Sequence, residues 1–447
     1  MTAEIAILNK TAVALAADSA VTISAGQKEE KIWDSGDKLF ELSHEEPIGI
    51  MVYNGMSFME MPLPTLIKQF RDDCDSFNTI EAAAAQFLEY LNEKGLRSSQ
   101  TILKDAAEII LTPILFNLKN KHTTEFVDIL IEKQPSDKTV EEISNELLTE
   151  MIERRARLLR QYEDATFIRR KTIRENKPAR LAIESCIERY FSEFSEDNKE
   201  NIRELGRLIL RKNYFSSSST GIVVAGFGKG EIFPTLIEYE IEGIVYGGLK
   251  YRQVGVYDID REKLKAIVLP FAQKEMVDRF LYGLDDDIQS DVRKYCKESI
   301  SEISDKIIEA VEFENDGQKK SFTQEARKAE SVFLRNLDKR AFQDIRTQSR
   351  IEIEDMVEFM PKPELARMAE ALVELTSIKR RVSRGLETVG GPIDVAVISK
   401  TEGFVWVKRK HYFSADLNPR YFQRVKHSML QVQENNDEST GEQQTSA

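Results

Sequence analysis

The sequence has few of the residues that build disulfide frameworks and zinc centres. It contains only three cysteines, Cys74, Cys186 and Cys296, and no two of them form a CxxC pair. Its four histidines are scattered, and none belongs to an HxxxH or HExxH motif. We therefore expect no disulfide framework, no zinc site of the usual spacing and no cofactor, and the cysteine usage fits a reducing, cytoplasmic setting.

Long apolar segments are also missing. No run of about 18 apolar residues appears, so the sequence predicts no membrane span. The N-terminus does not resemble a signal peptide, because Glu4 and Asn9-Lys10 interrupt its apolar residues. We expect the mature chain to differ from the translated one only by the loss of Met1.

Charged residues are abundant, at 31% of the 447 residues, and they give a formal net charge of −13. Such a balance favours solubility and argues against a general nucleic-acid binder. One segment departs from it, since residues 154–180 carry ten Lys and Arg against three Asp and Glu. A solvated helical face with ion pairs elsewhere in the chain explains that segment better than an acidic partner.

Short apolar runs alternate with two long helical blocks in the order strands, helices, strands, helices, strands. This order predicts an α+β fold of antiparallel sheets with helices layered outside. We predict core segments at 1–61, 214–285 and 385–427, a helical insertion at 62–213, a helical insertion with a core-packing helix at 286–384, and a disordered acidic tail at 428–447.

The start of the chain carries the strongest chemical signal. Thr2 precedes an apolar strand, and an N-terminal threonine can supply a nucleophilic hydroxyl together with its own α-amine as base. The ordinary pKa of an α-amine, about 7.7–8.0, is suited to general base catalysis near neutral pH. The small side chain of Thr2 favours removal of Met1, which this chemistry requires.

Three further residues are candidates for supporting roles. A lysine ammonium near the amine would disfavour a second positive charge, and Lys38 begins the strand KLFEL. Asp18, at the end of the strand VALAAD, could fix that lysine. Gly55 ends the strand IGIMVYNG, where its N–H could stabilise an oxyanion.

These residues resemble a known pattern. Thr2, Asp18 within ALAAD, Lys38 within GDKLF and a strand that ends at Gly55 are similar to the β-type subunits of proteasomes and their bacterial relatives, the N-terminal-nucleophile hydrolases. VVAGFG followed by EIFPTLIEYEIEG, and later GGPIDVAVISKTEGF, resemble that family's central hairpin and closing strand. The family usually has a serine before the closing Gly-Gly, where this chain has Val389.

The resemblance implies a four-layer αββα sandwich of two antiparallel sheets, here with two long helical insertions. It implies Thr2 as nucleophile, Lys38 as the cation that tunes the amine, Asp18 as its partner and Gly55 as oxyanion donor. The implied activity is a threonine peptidase that cleaves amide bonds, and a homo-oligomer is a possible assembly.

Two other hypotheses stay open at this point. The chain could be a non-proteolytic amide hydrolase on the same fold. Alternatively, it could be an inactive scaffold that binds a protein partner through its helical lobes.

Overall fold

The computed structural model of the chain describes residues 2–25, 29–132, 139–169, 173–383, 389–414 and 416–423. Its contacts define two compact units, Met1–Lys408 and Arg409–Ala447. In the second unit, Phe413 packs edge-on against Tyr412 and Tyr421, with ring centroids 5.0 Å apart in each pair. The predicted acidic tail at 428–447 lies outside the described residues.

All strands and helices named below belong to the first unit. The strands are β1 (Ala3–Asn9), β2 (Val13–Ala17), β3 (Val21–Ala25), β4 (Glu29–Trp33), β5 (Leu39–Glu41), β6 (Ile48–Tyr53), β7 (Ser57–Phe58), β8 (Met61–Pro62), β9 (Thr166–Phe167), β10 (Thr220–Gly226), β11 (Thr235–Val245), β12 (Gly248–Asp258), β13 (Ala266–Ala272), β14 (Asp394–Ser399) and β15 (Gly403–Lys408).

The helices are α1 (Leu63–Asp73), α2 (Ile80–Leu96), α3 (Gln100–Glu132), α4 (Val140–Arg160), α5 (Lys177–Tyr190), α6 (Glu196–Arg211), α7 (Glu275–Tyr282), α8 (Asp286–Ala310), α9 (Asp316–Asn336), α10 (Asp344–Glu358) and α11 (Lys362–Val382), with a π-helical segment at Leu337–Gln343 between α9 and α10. None of these described helices has both the length and the apolar character needed to cross a lipid bilayer.

Two larger sheets organise the first unit. One has five strands in the order β13-β1-β2-β14-β15, and the other has six in the order β5-β6-β10-β11-β12-β9. Every pairing within them is antiparallel. The chain is therefore α+β with two antiparallel sheets, and the predicted order of strands and helices is confirmed.

Asn9 fixes the first hairpin and its register. Its side-chain Oδ1 accepts hydrogen bonds from the backbone N–H groups of Thr11 (2.9 Å) and Ala12 (3.2 Å), a local turn that asparagine favours. Its Nδ2 donates to the carbonyls of Val357 (3.0 Å) and Met360 (2.9 Å), which ties the turn to α10 and its end. The hairpin thus places the start of β1 beside the end of β2, with Glu4 opposite Ala17.

Apolar side chains from both sheets form one buried cluster, which includes Leu8 and Leu15 from the five-stranded sheet and Met51 and Val223 from the six-stranded sheet. A second cluster joins α1 and α2 to alternate residues of the six-stranded sheet. A third joins α7, α10 and α11 to the five-stranded sheet. Each sheet therefore buries apolar residues on both faces.

The predicted insertion at 62–213 contains helices with two different packing partners. Helices α1 and α2 pack on the six-stranded sheet, whereas α3, α4, α5 and α6 pack mainly on one another around a cluster that includes Leu115, Ile152, Ile183 and Leu205. Strand β9, which lies between α4 and α5, joins the edge of the six-stranded sheet. The domain boundaries given above stay predictions.

Candidate active site

The first hairpin brings Asp18 next to the nucleophile candidate. Asp18 directly follows β2, and Thr2 directly precedes β1. The Asp18 N–H donates to the Ala3 carbonyl at 3.1 Å, and the Ala3 N–H donates to the Asp18 carboxylate at 3.1 Å. Two antiparallel strands therefore hold residues 2 and 18 at the same end of one sheet.

Lys38 reaches the same place from the other sheet. It immediately precedes β5, where its carbonyl accepts a hydrogen bond from the Val52 N–H at 2.9 Å. Its ammonium donates to the Thr2 hydroxyl oxygen at 3.0 Å and to the Asp18 carboxylate at 2.6 Å. The structure thus joins three of the four sequence-predicted site residues by hydrogen bonds.

The Asp18–Lys38 ion pair is buried, with the side chain of Lys38 only 2% exposed. A buried charge is costly unless all its hydrogen-bonding positions are used. Asp18 meets that condition, because it accepts from Lys38 and from the backbone N–H groups of Ala3, Ala20 and Gly390. Four donors from separate parts of the chain therefore hold this carboxylate in a single position.

Thr2 itself is held by its backbone as well as by Lys38. Its carbonyl accepts a hydrogen bond from the Gln273 N–H at 3.2 Å, and its residue is 5% exposed. Gln273 accepts in turn from the Arg380 guanidinium, and it follows Ala272, whose φ is +60°. A positive φ is unfavourable for alanine, so the end of β13 adopts a strained conformation beside Thr2.

The geometry permits nucleophilic chemistry at Thr2. An ammonium that donates to a hydroxyl oxygen stabilises negative charge as it develops on that oxygen. Since both groups are nearly excluded from water, their interaction is stronger than it would be on the surface.

Gly55, the fourth predicted residue, lies two residues after the last residue of β6, Tyr53. This end of β6 is joined to Lys38 by the hydrogen bond from the Val52 N–H. Its N–H donates to the Tyr53 carbonyl at 2.9 Å. A Cβ placed on Gly55 would overlap the Thr220 hydroxyl, so its lack of a side chain has a packing reason. In the described residues, no hydrogen bond joins Gly55 to Thr2, Asp18 or Lys38, and its oxyanion role stays a prediction.

Val389 occupies the position where the resemblance led us to expect a serine. Its side chain is fully buried in the apolar cluster between the five-stranded sheet and α11. Its carbonyl accepts from the Ser377 hydroxyl at 3.5 Å, and the next residue, Gly390, contributes its N–H to Asp18. The backbone of this segment therefore supports the site, while the Val389 side chain packs in the core.

Sequence reasoning missed one acidic residue of this region, Glu4. It is completely buried, and burial raises the pKa of its carboxyl well above the ordinary value. The positive charge of Lys38 lowers this pKa, and the negative charge of Asp18 raises it further. The signal that could identify it in the sequence is a charged residue within the apolar strand AEIAILN.

A second buried polar pair was missed because its members are far apart in sequence. The Tyr53 hydroxyl donates to the Glu238 carboxylate at 2.6 Å. Burial and the negative charge of Glu238 raise the pKa of Tyr53, so its hydroxyl stays protonated. The Tyr53 ring stacks on Phe271 of β13, with centroids 6.1 Å apart, and so contacts the strand next to β1.

Two basic residues in the described part of the segment 154–180 form ion pairs. Arg160 pairs with Glu204, and Arg169 pairs with both Glu89 (2.8 Å) and Glu93 (3.0 Å). These contacts fit the interpretation of this segment as a solvated, ion-paired face.

No family model matches the chain, and no curated protein matches it. Among solved structures, one that matches is described as an Anbu (Gly-1) mutant from Hyphomicrobium sp. strain MC1. The two chains are 10% identical, with 96% of each covered and a TM-score of 0.26. We draw neither fold nor activity from a similarity this distant.

Proposed function

We propose that this chain is an N-terminal-nucleophile hydrolase that cleaves amide bonds, with Thr2 as its nucleophile after removal of Met1. The observation that carries the proposal is the Lys38 ammonium, which bridges the Thr2 hydroxyl and the Asp18 carboxylate in a buried setting. The resemblance to proteasome β-type subunits assigns these three residues the same roles.

In the proposed reaction, the Thr2 hydroxyl oxygen bonds to the substrate carbonyl carbon while its proton passes to the Thr2 α-amine. The tetrahedral intermediate collapses by breaking the C–N bond, and the amine returns the proton to the leaving nitrogen. Water then attacks the resulting ester with the same amine as base. The products are an amine, a carboxylic acid and the free Thr2 hydroxyl.

Lys38 contributes in two ways to this scheme. Its charge disfavours protonation of the nearby amine, which keeps the base available, and it stabilises negative charge on the Thr2 oxygen. Asp18 holds the ammonium in place by the 2.6 Å ion pair. Gly55 is proposed to donate its N–H to the oxyanion after turning away from Tyr53.

The proposal extends to the fold and the setting of the protein. We infer a four-layer sandwich from the three apolar clusters that lie between and outside the two sheets. A peptide is the proposed substrate. The three free cysteines support a cytoplasmic location, where thiols stay reduced, and a homo-oligomer stays a prediction.

Intact-mass measurement and an electrophilic threonine-directed probe test this function. We expect the native protein to lack Met1 and the probe to attach at Thr2, as mapped by peptide mass spectrometry. In Thr2→Ala, the rate of labelling should fall by at least about a thousandfold, because the attacking oxygen is absent. Thr2→Ser, which keeps a hydroxyl at the same position, is the matched control and should still be labelled.

Retention of Met1 in the native protein would overturn the mechanism. Labelling at Thr2 without cleavage of any member of a peptide library would instead favour the non-proteolytic amide hydrolase. A Thr2→Ala variant that folds and retains the cellular function of the wild type would favour the scaffold.

A further inference from the structure

Glu4 lies where it can influence the proposed nucleophile. It is two residues beyond Thr2, and alternate residues of a strand point to the same side. Its neighbours across the sheet are Ala17 on β2 and Phe271 on β13. The side chain is completely buried, and within the described structure neither carboxyl oxygen has a hydrogen-bond partner.

The charged and titratable groups around Glu4 come from four parts of the chain, namely the end of β2, the start of β5, and strands β6 and β11. Lys38 and Asp18 interact electrostatically with its carboxyl, the first attracting and the second repelling a negative charge. The negative charge of Glu4 is one of the causes that raise the pKa of Tyr53 on β6. The Tyr53 hydroxyl donates a hydrogen bond to Glu238 on β11. Lys38 supplies the positive charge of this group, and its ammonium already has a carboxylate partner in Asp18.

An ionised Glu4 would be poorly accommodated here. A buried carboxylate needs hydrogen-bond donors or a counter-charge of its own, and Glu4 has neither. Its pKa is raised, first by loss of contact with water and then by Asp18. The carboxyl therefore stays neutral at pH values at which surface glutamates are ionised.

We propose that Glu4 is a positioning residue, which keeps the Lys38–Asp18 pair electrically balanced while it holds its proton and weakens the nucleophile when it loses that proton. This inference rests on the proposed function of Thr2. It adds to that function a residue through which pH acts on the site.

The physical basis is the charge that surrounds the Thr2 amine. With Glu4 neutral, the positive charge of Lys38 acts on the amine and lowers its affinity for a proton. With Glu4 ionised, a second carboxylate offsets that charge and the amine binds a proton more tightly. A nearby charge changes a pKa by about one unit or more, and each unit lowers the neutral fraction of a mostly protonated amine tenfold.

The test is an NMR titration of the full-length protein in which the Glu4 carboxyl carbon and the Lys38 Nζ are observed. We expect the Glu4 signal, assigned by its loss in Glu4→Gln, to titrate well above its ordinary value of 4.5. The Lys38 signal should shift at the same pH in the wild type and should not shift there in Glu4→Gln. Glu46→Gln is the control, because Glu46 is also buried but lies at the far end of the β5–β6 hairpin.

A Glu4 carboxyl that titrates near 4.5, or a Lys38 shift that persists unchanged in Glu4→Gln, would overturn the inference. If Glu4→Gln does not fold, the wild type alone decides: Glu4 and Lys38 signals that change at different pH values would also overturn the inference. The rate of probe labelling at Thr2 is measured in parallel, and above the Glu4 transition it should be about tenfold lower in the wild type than in Glu4→Gln. Complete absence of labelling would contradict the proposed function, while the NMR titration still decides the role of Glu4.

Discussion

The Lys38 ammonium donates a hydrogen bond to the Thr2 hydroxyl oxygen across the boundary between two sheets. Thr2 directly precedes a strand of the five-stranded sheet, and Lys38 directly precedes a strand of the six-stranded sheet. Any change in the spacing of the two sheets would therefore alter the distance between these two atoms. The site depends on the packing of the inter-sheet core as much as on its own residues.

The first prediction concerns the buried ion pair. Lys38→Met should destabilise the protein by about 3–5 kcal/mol, because it leaves the Asp18 carboxylate buried without its counter-charge. The double variant Lys38→Met/Asp18→Asn should be less destabilised than the sum of its single changes, since both charges are then absent. Urea unfolding of all four proteins measures this coupling. Strict additivity would show that the pair does not act as a unit.

The second prediction concerns Val389. Val389→Ser should destabilise the protein by about 1–3 kcal/mol, because it places a hydroxyl in an apolar cluster. It should not increase labelling of Thr2, since the side chain packs in the cluster between the sheet and α11. Thermal unfolding and the labelling rate are compared with those of Val389→Ala. A serine variant that labels faster than the wild type would mean that this position does contact the nucleophile.

The third prediction concerns stability and pH. Folding raises the pKa of Glu4 above the ordinary value of 4.5, so the folded protein binds this proton more tightly than the unfolded chain. The proton on Glu4 contributes its full stabilisation below about pH 4.5, the pKa of the unfolded chain. This contribution is lost progressively as the pH rises through the higher pKa of Glu4 in the folded protein. Glu4→Gln, which cannot ionise, should therefore lose less stability than the wild type over that interval.

Urea unfolding midpoints measured from pH 4 upward test this difference. For each protein, the change of its midpoint with pH is determined, and these changes are then compared between wild type and Glu4→Gln. Glu46→Gln provides the background slope from the other titrating groups. Parallel slopes for wild type and Glu4→Gln would show that Glu4 has an ordinary pKa in the folded protein.

The fourth prediction separates the packing role of Gly55 from its proposed chemical role. Gly55→Ala should destabilise the protein by about 1–3 kcal/mol, because the new methyl group overlaps the Thr220 side chain. Thr220→Ala in the same chain should recover most of that loss by removing the obstructing hydroxyl. Circular dichroism melts of the single and double variants measure the recovery. No recovery would point to a backbone change at this turn.

The candidate site was largely predictable because its signals are local. Thr2, Asp18 and Lys38 lie at strand ends, where short apolar runs can be recognised in the sequence. Their convergence follows from two hairpins, each with a clear polar turn. The oxyanion donor is harder to identify, because a glycine at a strand end can serve packing, as the contact of Gly55 with Thr220 shows.

Other features depend on contacts that sequence patterns do not contain. A charged residue in an apolar strand does not show whether it faces water or a second sheet, so Glu4 was overlooked. Helical periodicity likewise shows that α1 and α2 have an apolar face but does not identify the sheet that covers it. The link from Gly390 to Asp18 joins residues 372 positions apart.

The hydrogen bond from the Gly390 N–H to the Asp18 carboxylate bears on when, during synthesis, the proposed site is completed. Strand β2, which leads into Asp18, lies between β1 and β14, and the segment that enters β14 supplies one of the four donors to the Asp18 carboxylate. During synthesis, the threonine emerges first and its supporting carboxylate soon after, but the sheet around them closes only when the C-terminal strands arrive. A chain interrupted before residue 390 would contain Thr2, Lys38 and Asp18 but would lack the Gly390 donor to Asp18 and strand β14 beside β2. The fold thus completes the proposed site only after the strand that follows Gly390 has been made.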